Sequence, residues 1–157
     1  MTTLTNVPIQ EIQIGQKATY SKTCTEADIQ LFATVSGDVN PVHLDAEYAK
    51  GTVFEQRIAH GMYTGALVSA ALALELPGPG TIYLGQELKF KAPVFIGDEI
   101  TVTLEVESVR EDKAIVGLIC TCSKQDGTVV AQGKATVIAP KEKMTIPAPA
   151  LPKVTIG

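Results

Sequence analysis

The sequence predicts an α+β fold in which an antiparallel sheet wraps around one long central helix. Three observations predict it: the run from His60 to Leu76 is apolar on nearly every side, the residues after Gly80 alternate between apolar and polar, and short turns separate the alternating segments. A helix that is apolar all round has to be buried by other elements. Because its uninterrupted apolar part is too short to cross a bilayer, we expect a core helix and no membrane partner.

Small residues recur at every fourth position of the central helix, at Gly61, Gly65, Ser69 and Ala73. Residues four apart share one face of a helix, so this stripe lets a neighbour approach closely. We expect a strand backbone to pack against Gly65 and Ala73. Gly61 lies in the first turn, where free backbone N–H groups favour a negatively charged oxygen.

Two shorter helices are predicted before the central one. Thr25 and Asp28 match a capping box at the start of a helix over Glu26–Ser36. Residues 37–43 are rich in turn formers and are expected to form a loop. A second small helix is expected over residues 46–50, between a capping aspartate and a glycine.

An edge strand is expected around Ala18 and Tyr20, and the alternating segments after Gly80 predict four long strands that follow one another as an antiparallel meander. The chain of 157 residues has the length of one domain. We expect residues 1–139 to form it and the Pro-rich residues 140–157 to be an extended arm or a disordered tail.

Charge and cysteine content exclude several classes of protein. The 13 basic and 17 acidic residues give a net charge of -4 without a basic block, which argues against a nucleic-acid partner. The N-terminus lacks the pattern of a signal or transit peptide, so we expect a cytoplasmic protein. The three cysteines, Cys24, Cys120 and Cys122, are expected as free thiols rather than a zinc set.

Asp38 and His43 are the first candidates for catalysis. They lie five positions apart on a turn-rich segment that Asn40 and Pro41 stiffen, so both side chains can converge on one point. A carboxylate and an imidazole can share a water, with one group accepting a proton while the other donates one. A loop histidine taken alone is more often structural or solvated.

The other polar residues of the central helix have weaker claims. For His60, the second of two histidines, we favour a packing or capping role. Ser69 is a nucleophile only if a base lies within reach; in the middle of a core helix its hydroxyl is expected to bond to the preceding turn.

Five segments of the chain carry a resemblance to a known family: Ser36–His43, Ala59–Met62, Tyr83–Val94, Gly97–Asp98 and Val109–Lys113. Together they resemble the (R)-specific enoyl-CoA hydratases of the MaoC-like family. The Asp-x-Asn-Pro-x-His signature at residues 38–43 is the most specific of them, and the resemblance covers roughly residues 15–138. That family has the hot dog fold, in which an antiparallel sheet wraps a long helix.

The resemblance implies that Asp38 and His43 hold and activate the water that adds to a trans-2-enoyl-CoA, giving the (R)-3-hydroxyacyl product. It implies that the backbone N–H of Gly61 binds the thioester oxygen and that Ser69 belongs to the substrate site. No metal or redox cofactor is expected. Because a wrapped sheet leaves an edge open and such edges are often paired, we expect a homodimer.

Three alternatives stay open. A thioesterase of the same fold commonly has a carboxylate on the central helix, where this chain has only Glu75, at the far end. The others are a dehydratase of acyl-carrier-protein thioesters and a non-catalytic acyl-CoA sensor, which would need a DNA-binding module that is not visible. Candidates for contacting CoA phosphates, each of which also fits a solvated surface, are Arg57, Lys89, Lys91 and Lys124.

Overall fold

A computed structural model describes residues 2–157 and has an α+β architecture, in which one long helix packs against a five-stranded antiparallel sheet. A pair of short strands lies outside that sheet. In chain order the elements are β1 (Thr3–Thr5), β2 (Lys17–Thr23), α1 (Glu26–Ser36), α2 (Pro41–Leu44), α3 (Ala46–Lys50), α4 (Gly61–Leu74), β3 (Ile82–Phe90), β4 (Glu99–Arg110), β5 (Ile115–Ser123), β6 (Val129–Ile138) and β7 (Thr145–Pro147).

The strand order of the large sheet is β2-β4-β5-β6-β3, so the predicted four-strand meander is wrong for β3. Strands β4 to β6 do follow one another, but β3 pairs with β6 at the sheet edge. Residues 91–98 connect β3 to β4 across three strand spacings, which span about 14 Å. Eight extended residues reach roughly 26 Å. Residues 91–98 are therefore long enough to pass β5 and β6, although in the sequence they look like a hairpin loop.

The inner face of α4 and the inner faces of the strands form the core. Tyr63, Leu67, Val68, Ala71 and Leu72 are buried on the helix, and alternate residues of β4 and β5 are buried opposite them. The three cysteines are buried and free, as predicted. Burial raises the pKa of the Cys122 thiol to about 12, which keeps it protonated and unreactive.

The outer face of α4 is exposed, because the sheet packs against the opposite face of this helix. Met62, Ala66, Ser69 and Ala73 face outward. The neighbours of the small-residue stripe differ from the expectation of a strand backbone. A Cβ on Gly65 would meet the Met62 side chain at 3.0 Å and the Leu88 side chain at 3.7 Å.

Local capping signals are confirmed around the small helices. The Thr25 hydroxyl and the Asp28 carboxylate form the reciprocal capping box of α1, and Gly37 ends α1 in the left-handed conformation. Asp45 caps α3 by accepting two backbone N–H groups. The expected loop over residues 37–43 is partly wrong, because Pro41 starts the single helical turn α2 after an Asn40 cap.

The N-terminal segment lies against the segment that follows β6. Strand β7 pairs with β1, and the buried Asn6 side chain bonds to the backbone of Glu142 and Met144. Residues 148–157 have no regular secondary structure and are mostly exposed. The division into a domain over residues 1–139 and an arm over residues 140–157 stays a prediction. No helix within residues 2–157 combines the length and apolar character needed to cross a bilayer.

Candidate active site

The segment after α1 brings Asp38 and His43 together. The Asp38 carboxylate accepts the backbone N–H of Asn40 at 3.1 Å, and the Asn40 side chain accepts that of Val42 at 3.3 Å. These bonds turn the chain so that Asp38 Oδ2 lies 3.8 Å from His43 Nε2. That separation is too long for a direct hydrogen bond, so both atoms are available to a third group. The imidazole is 9% exposed and the carboxylate 49%, so this pair opens to the surface on the side of Asp38.

The orientation of the His43 ring is set by a backbone carbonyl. His43 Nδ1 lies 2.8 Å from the carbonyl oxygen of Ile58. Because a carbonyl only accepts, Nδ1 carries the proton and donates it, and Nε2 is the nitrogen that faces Asp38. The ring is thereby presented to Asp38 in one tautomer and one orientation.

His60 touches both members of the pair. Its ring stacks on that of His43 with centroids 3.8 Å apart, and its Nε2–H donates to the Asp38 carbonyl oxygen at 2.9 Å. The ring of Phe32 covers it with centroids 5.0 Å apart. His60 is the N-cap residue of α4 but its side chain makes no capping hydrogen bond, so of the two roles expected for this side chain the structure shows packing.

Asp38, His43 and His60 are the group within residues 2–157 whose positions come nearest to a metal site, with ligand atoms within 4.8 Å of one another. Their orientation fits a metal poorly. An imidazole binds a metal in its own ring plane, whereas these two rings are stacked with planes 26° apart. One nitrogen of each ring is also engaged by a backbone carbonyl.

Gly61 opens α4 beside an apolar pocket. No backbone acceptor for its N–H is found among residues 2–157, as expected for the first turn of a helix. The pocket has a volume of about 310 Å³, and its lining includes Gly61, Ile58, Phe54, Phe90 and Val130. Asp38 and His43 do not line it. Ile58 connects the two regions, because it lines the pocket and its carbonyl holds His43.

Ser69 lies on the exposed outer face of α4, two turns along from Gly61. No hydrogen bond from its hydroxyl is found in the described part of the chain, so the expected bond to the preceding turn is not formed. Its exposure makes it accessible to a molecule on that face.

Two of the four basic candidates for phosphate contact are engaged elsewhere. Lys124 pairs with Asp98 at 2.9 Å and lies over the Phe95 ring. Arg57 pairs with Glu26 at 2.8 Å. Lys89 and Lys91 remain at the surface on β3 and just after it, and Lys91 reaches the rim of the pocket.

A polar network lies behind the site. Asp28 accepts hydrogen bonds from Lys22 Nζ at 2.7 Å and from the Tyr63 hydroxyl at 2.9 Å. Burial opposes ionisation of this carboxyl, but these bonds and the Thr25 N–H outweigh it and lower its pKa. Burial, together with the bond to Asp28, raises the pKa of Tyr63. The Tyr63 ring meets Phe32 edge-on, with centroids 6.3 Å apart, so the network supports the ring that covers His60.

Most of the chain matches the model of one protein family. The model of the MaoC like domain matches residues 9–125, which include α1 to α4 and the cluster of Asp38, His43 and His60. The chain belongs to the MaoC-like family. The resemblance carried by the motif at residues 38–43 is therefore confirmed, and with it the hot dog fold.

Three MaoC-like relatives are similar over most of their length. An (R)-specific enoyl-CoA hydratase of Rhodospirillum rubrum is 49% identical over 83% of this chain and 90% of its own. One of Aeromonas caviae is 47% identical over 83% of this chain and 98% of its own. The structure of R-hydratase PhaJ1 from Pseudomonas aeruginosa is 50% identical, covers 99% of this chain and 100% of its own, and superposes with a TM-score of 0.95.

The sequence pattern pointed to Asp38, His43 and Gly61, but it did not predict the contacts that Ile58 and His60 make with the Asp38–His43 pair. The Ile58 carbonyl lies 15 residues from His43, and the contact of His60 with Asp38 spans 22 residues. A backbone carbonyl has no sequence signal. The one available clue was that both histidines sit where a regular pattern breaks.

Proposed function

We propose that this protein is an (R)-specific enoyl-CoA hydratase, a hydro-lyase that reversibly adds water to trans-2-enoyl-CoA to give (R)-3-hydroxyacyl-CoA. The observation that carries the proposal is the Asp38–His43 pair, whose side chains lie 3.8 Å apart. His60 contacts this pair, and the next residue in the sequence is Gly61 with its free N–H. Hydration needs a base for the water, an acid for the α carbon and a donor for the thioester oxygen. These three residues supply one group for each need.

In the proposed mechanism, Asp38 and His43 bind the water between them and share the acid and base roles. The water oxygen bonds to C3 as its proton passes to the pair, and the pair returns a proton to C2 as the carbon–carbon π bond breaks. The Gly61 N–H stabilises the negative charge that develops on the thioester oxygen, an interaction typically worth ~3 kcal/mol. The reaction changes no oxidation state overall, so it requires no redox cofactor.

Chiral analysis of the product from crotonyl-CoA tests the function. We expect (R)-3-hydroxybutyryl-CoA, with loss of the conjugated thioester absorbance. The (S) product, or release of free CoA thiol, would contradict it, and thiol release would indicate a thioesterase. The structure gives the thioesterase little support, because Glu75 follows the last residue of α4, at the opposite end of the helix from Gly61. Comparing carrier-bound with CoA-bound crotonyl thioester separates the dehydratase alternative.

Asp38→Asn and His43→Gln test the assigned residues. Both substitutions preserve size, and we expect each to lower kcat by roughly a hundredfold or more, as removal of an acid–base group does. Asp112→Asn, on an exposed carboxylate in the turn before β5, is the matched control. Near-normal turnover by folded Asp38→Asn and His43→Gln would reject the roles. Ser69→Ala tests substrate contact on the outer face of α4: a raised KM supports it, and unchanged kinetics reject it.

The same proposal includes a homodimer and a cytoplasmic location. The dimer is supported by the edge strand β3, which carries exposed apolar side chains and borders the exposed face of α4. The location is supported by three buried free cysteines, which are typical of a reducing compartment.

A further inference from the structure

Arg57 makes contacts unlike those of an ordinary surface arginine. It lies between α3 and α4, and its side chain is only 14% exposed. Its Nε donates to the backbone carbonyl of His43 at 2.6 Å, and its Nη1 donates to both carboxylate oxygens of Glu26, at 2.9 and 2.8 Å. One guanidinium thus joins the backbone of His43 to the first turn of α1.

The bond from Arg57 to the His43 carbonyl is made near the C-terminus of the short helix α2. Helix α2 is a single turn of four residues, and so short a helix is not stable by itself. The carbonyls of its last residues lack helical partners, and a cation at a helix C-terminus satisfies them favourably. Arg57 supplies both the donor and the charge.

Ile58, the residue after Arg57, also bonds to helix α2. The Ile58 N–H donates to the Val42 carbonyl at 3.3 Å, and the Ile58 carbonyl accepts from His43 Nδ1 at 2.8 Å. Residues 57 and 58 therefore hold His43 through both its backbone and its ring. A shift of Arg57 would move the carbonyl that orients the imidazole.

Glu26 links Arg57 to the helix that precedes Asp38. Helix α1 starts at Glu26 and ends at Ser36, and Asp38 follows its glycine C-cap. Glu26, which pairs with Arg57, lies at the start of α1, and Asp38 lies just beyond its end. The Glu26–Arg57 pair thereby fixes the position of His43 relative to the helix that carries Asp38.

We propose that Arg57 is a positioning residue, which holds His43 at its working distance from Asp38 by bridging the His43 carbonyl and Glu26. The effect on catalysis rests on the proposed hydratase function. A displacement of about 1 Å in a catalytic group can reduce the rate by up to roughly a hundredfold, so a positioning role is expected to change kcat more than KM.

Kinetics of four variants test the proposal. We expect Arg57→Gln to lower kcat by about tenfold or more with little change in KM. Arg57→Lys should be intermediate, because an ammonium lacks the planar fork that reaches both partners. Glu26→Gln should lower kcat less, and the double variant should be no worse than Arg57→Gln, since both act through one contact. Arg110→Gln, at an arginine that is 58% exposed, is the matched control and should match wild type.

A second readout does not depend on activity. The chain has two histidines, and ¹⁵N NMR distinguishes a ring N–H held in a hydrogen bond from one that exchanges freely. We expect Arg57→Gln to expose the His43 Nδ1–H to exchange while the His60 Nε2–H stays protected. Unchanged His43 signals together with unchanged kcat, even with a lower melting temperature, would overturn the proposal. If wild type shows no hydration, the function fails while the NMR result still decides the positioning.

Discussion

The imidazole of His60 lies against that of His43, with ring centroids 3.8 Å apart and ring planes 26° apart, and its Nε2–H donates to the Asp38 carbonyl. One side chain thus contacts the ring of one member of the pair and the backbone of the other. The remaining nitrogen, Nδ1, is buried without a hydrogen-bond partner in the described part of the chain. A buried polar atom left unpaired is costly, which indicates that the position is held for its other contacts.

His60→Phe and His60→Ala separate the two contacts. Phenylalanine keeps a flat ring against His43 but loses the donor to Asp38, so we expect a lower kcat and a loss of about 1 kcal/mol in the free energy of unfolding. Alanine also leaves a cavity beside Phe32, and we expect a larger loss of both. Urea unfolding and crotonyl-CoA kinetics measure the two quantities. Wild-type kcat in folded His60→Ala would show that Asp38 and His43 need no such support.

Gly61→Ala tests the proposed site for the thioester oxygen. A Cβ at this position would lie 3.2 Å from the Phe90 ring, closer than ordinary contact, and would crowd the pocket next to the free N–H. We expect kcat/KM to fall by roughly tenfold or more, because the oxygen can no longer approach its donor. The fold should survive, since alanine is a better helix former than glycine by about 1 kcal/mol.

Two further variants interpret that result. Gly51→Ala is the control, because its Cβ would meet its nearest neighbour at an ordinary 3.5 Å. Gly61→Ala combined with Phe90→Leu relieves the contact with the ring, and recovery of activity would assign the loss to the displaced ring rather than to the donor. Full activity in the single Gly61→Ala variant would reject substrate binding at this N–H.

The elements that local chemistry determines could be predicted from the sequence, and those that depend on distant partners could not. Helix α1 begins and ends as predicted because Thr25, Asp28 and Gly37 act on backbone groups within one turn. The pairing of β3 with β6 was missed because alternation shows that a segment is a strand but not which strand lies beside it. The approach of Asp38 to His43 could be predicted because their spacing is short and the residues between them are turn formers. The contacts of Arg57 could not be predicted, because its partners, Glu26 and His43, lie 31 and 14 residues away.

Acid should weaken the fold through Asp28. Burial opposes the charge of this carboxyl, but bonds from Lys22 and Tyr63 prevail and lower its pKa in the folded state. A carboxyl with a lowered folded pKa stabilises the fold at pH values above its unfolded pKa, near 4. That stability is lost as the pH falls through the folded value. Unfolding by urea between pH 7 and pH 3 should therefore show Asp28→Asn less stable than wild type at pH 7, by about 1–3 kcal/mol, with the difference shrinking on acidification.

Tyr63→Phe identifies which contacts produce that dependence. It removes one donor to Asp28 and should cost about 1 kcal/mol at pH 7 while weakening the acid dependence. Asp112→Asn, on an exposed carboxylate, should leave the pH dependence as in wild type. A constant difference between wild type and Asp28→Asn across the pH range would mean that Asp28 stabilises the fold through its shape rather than through its charge.

Leu84→Lys should disrupt the proposed homodimer. Strand β3 has β6 on one side only, so its other side presents unpaired backbone groups, and Leu84 is 51% exposed there. A lysine in an edge pairing buries a charge, so we expect sedimentation velocity to show a monomer. Val35→Lys is the matched control, because Val35 is 85% exposed on α1, away from that edge. A monomeric wild type would reject the dimer, and a Leu84→Lys dimer would place the interface elsewhere.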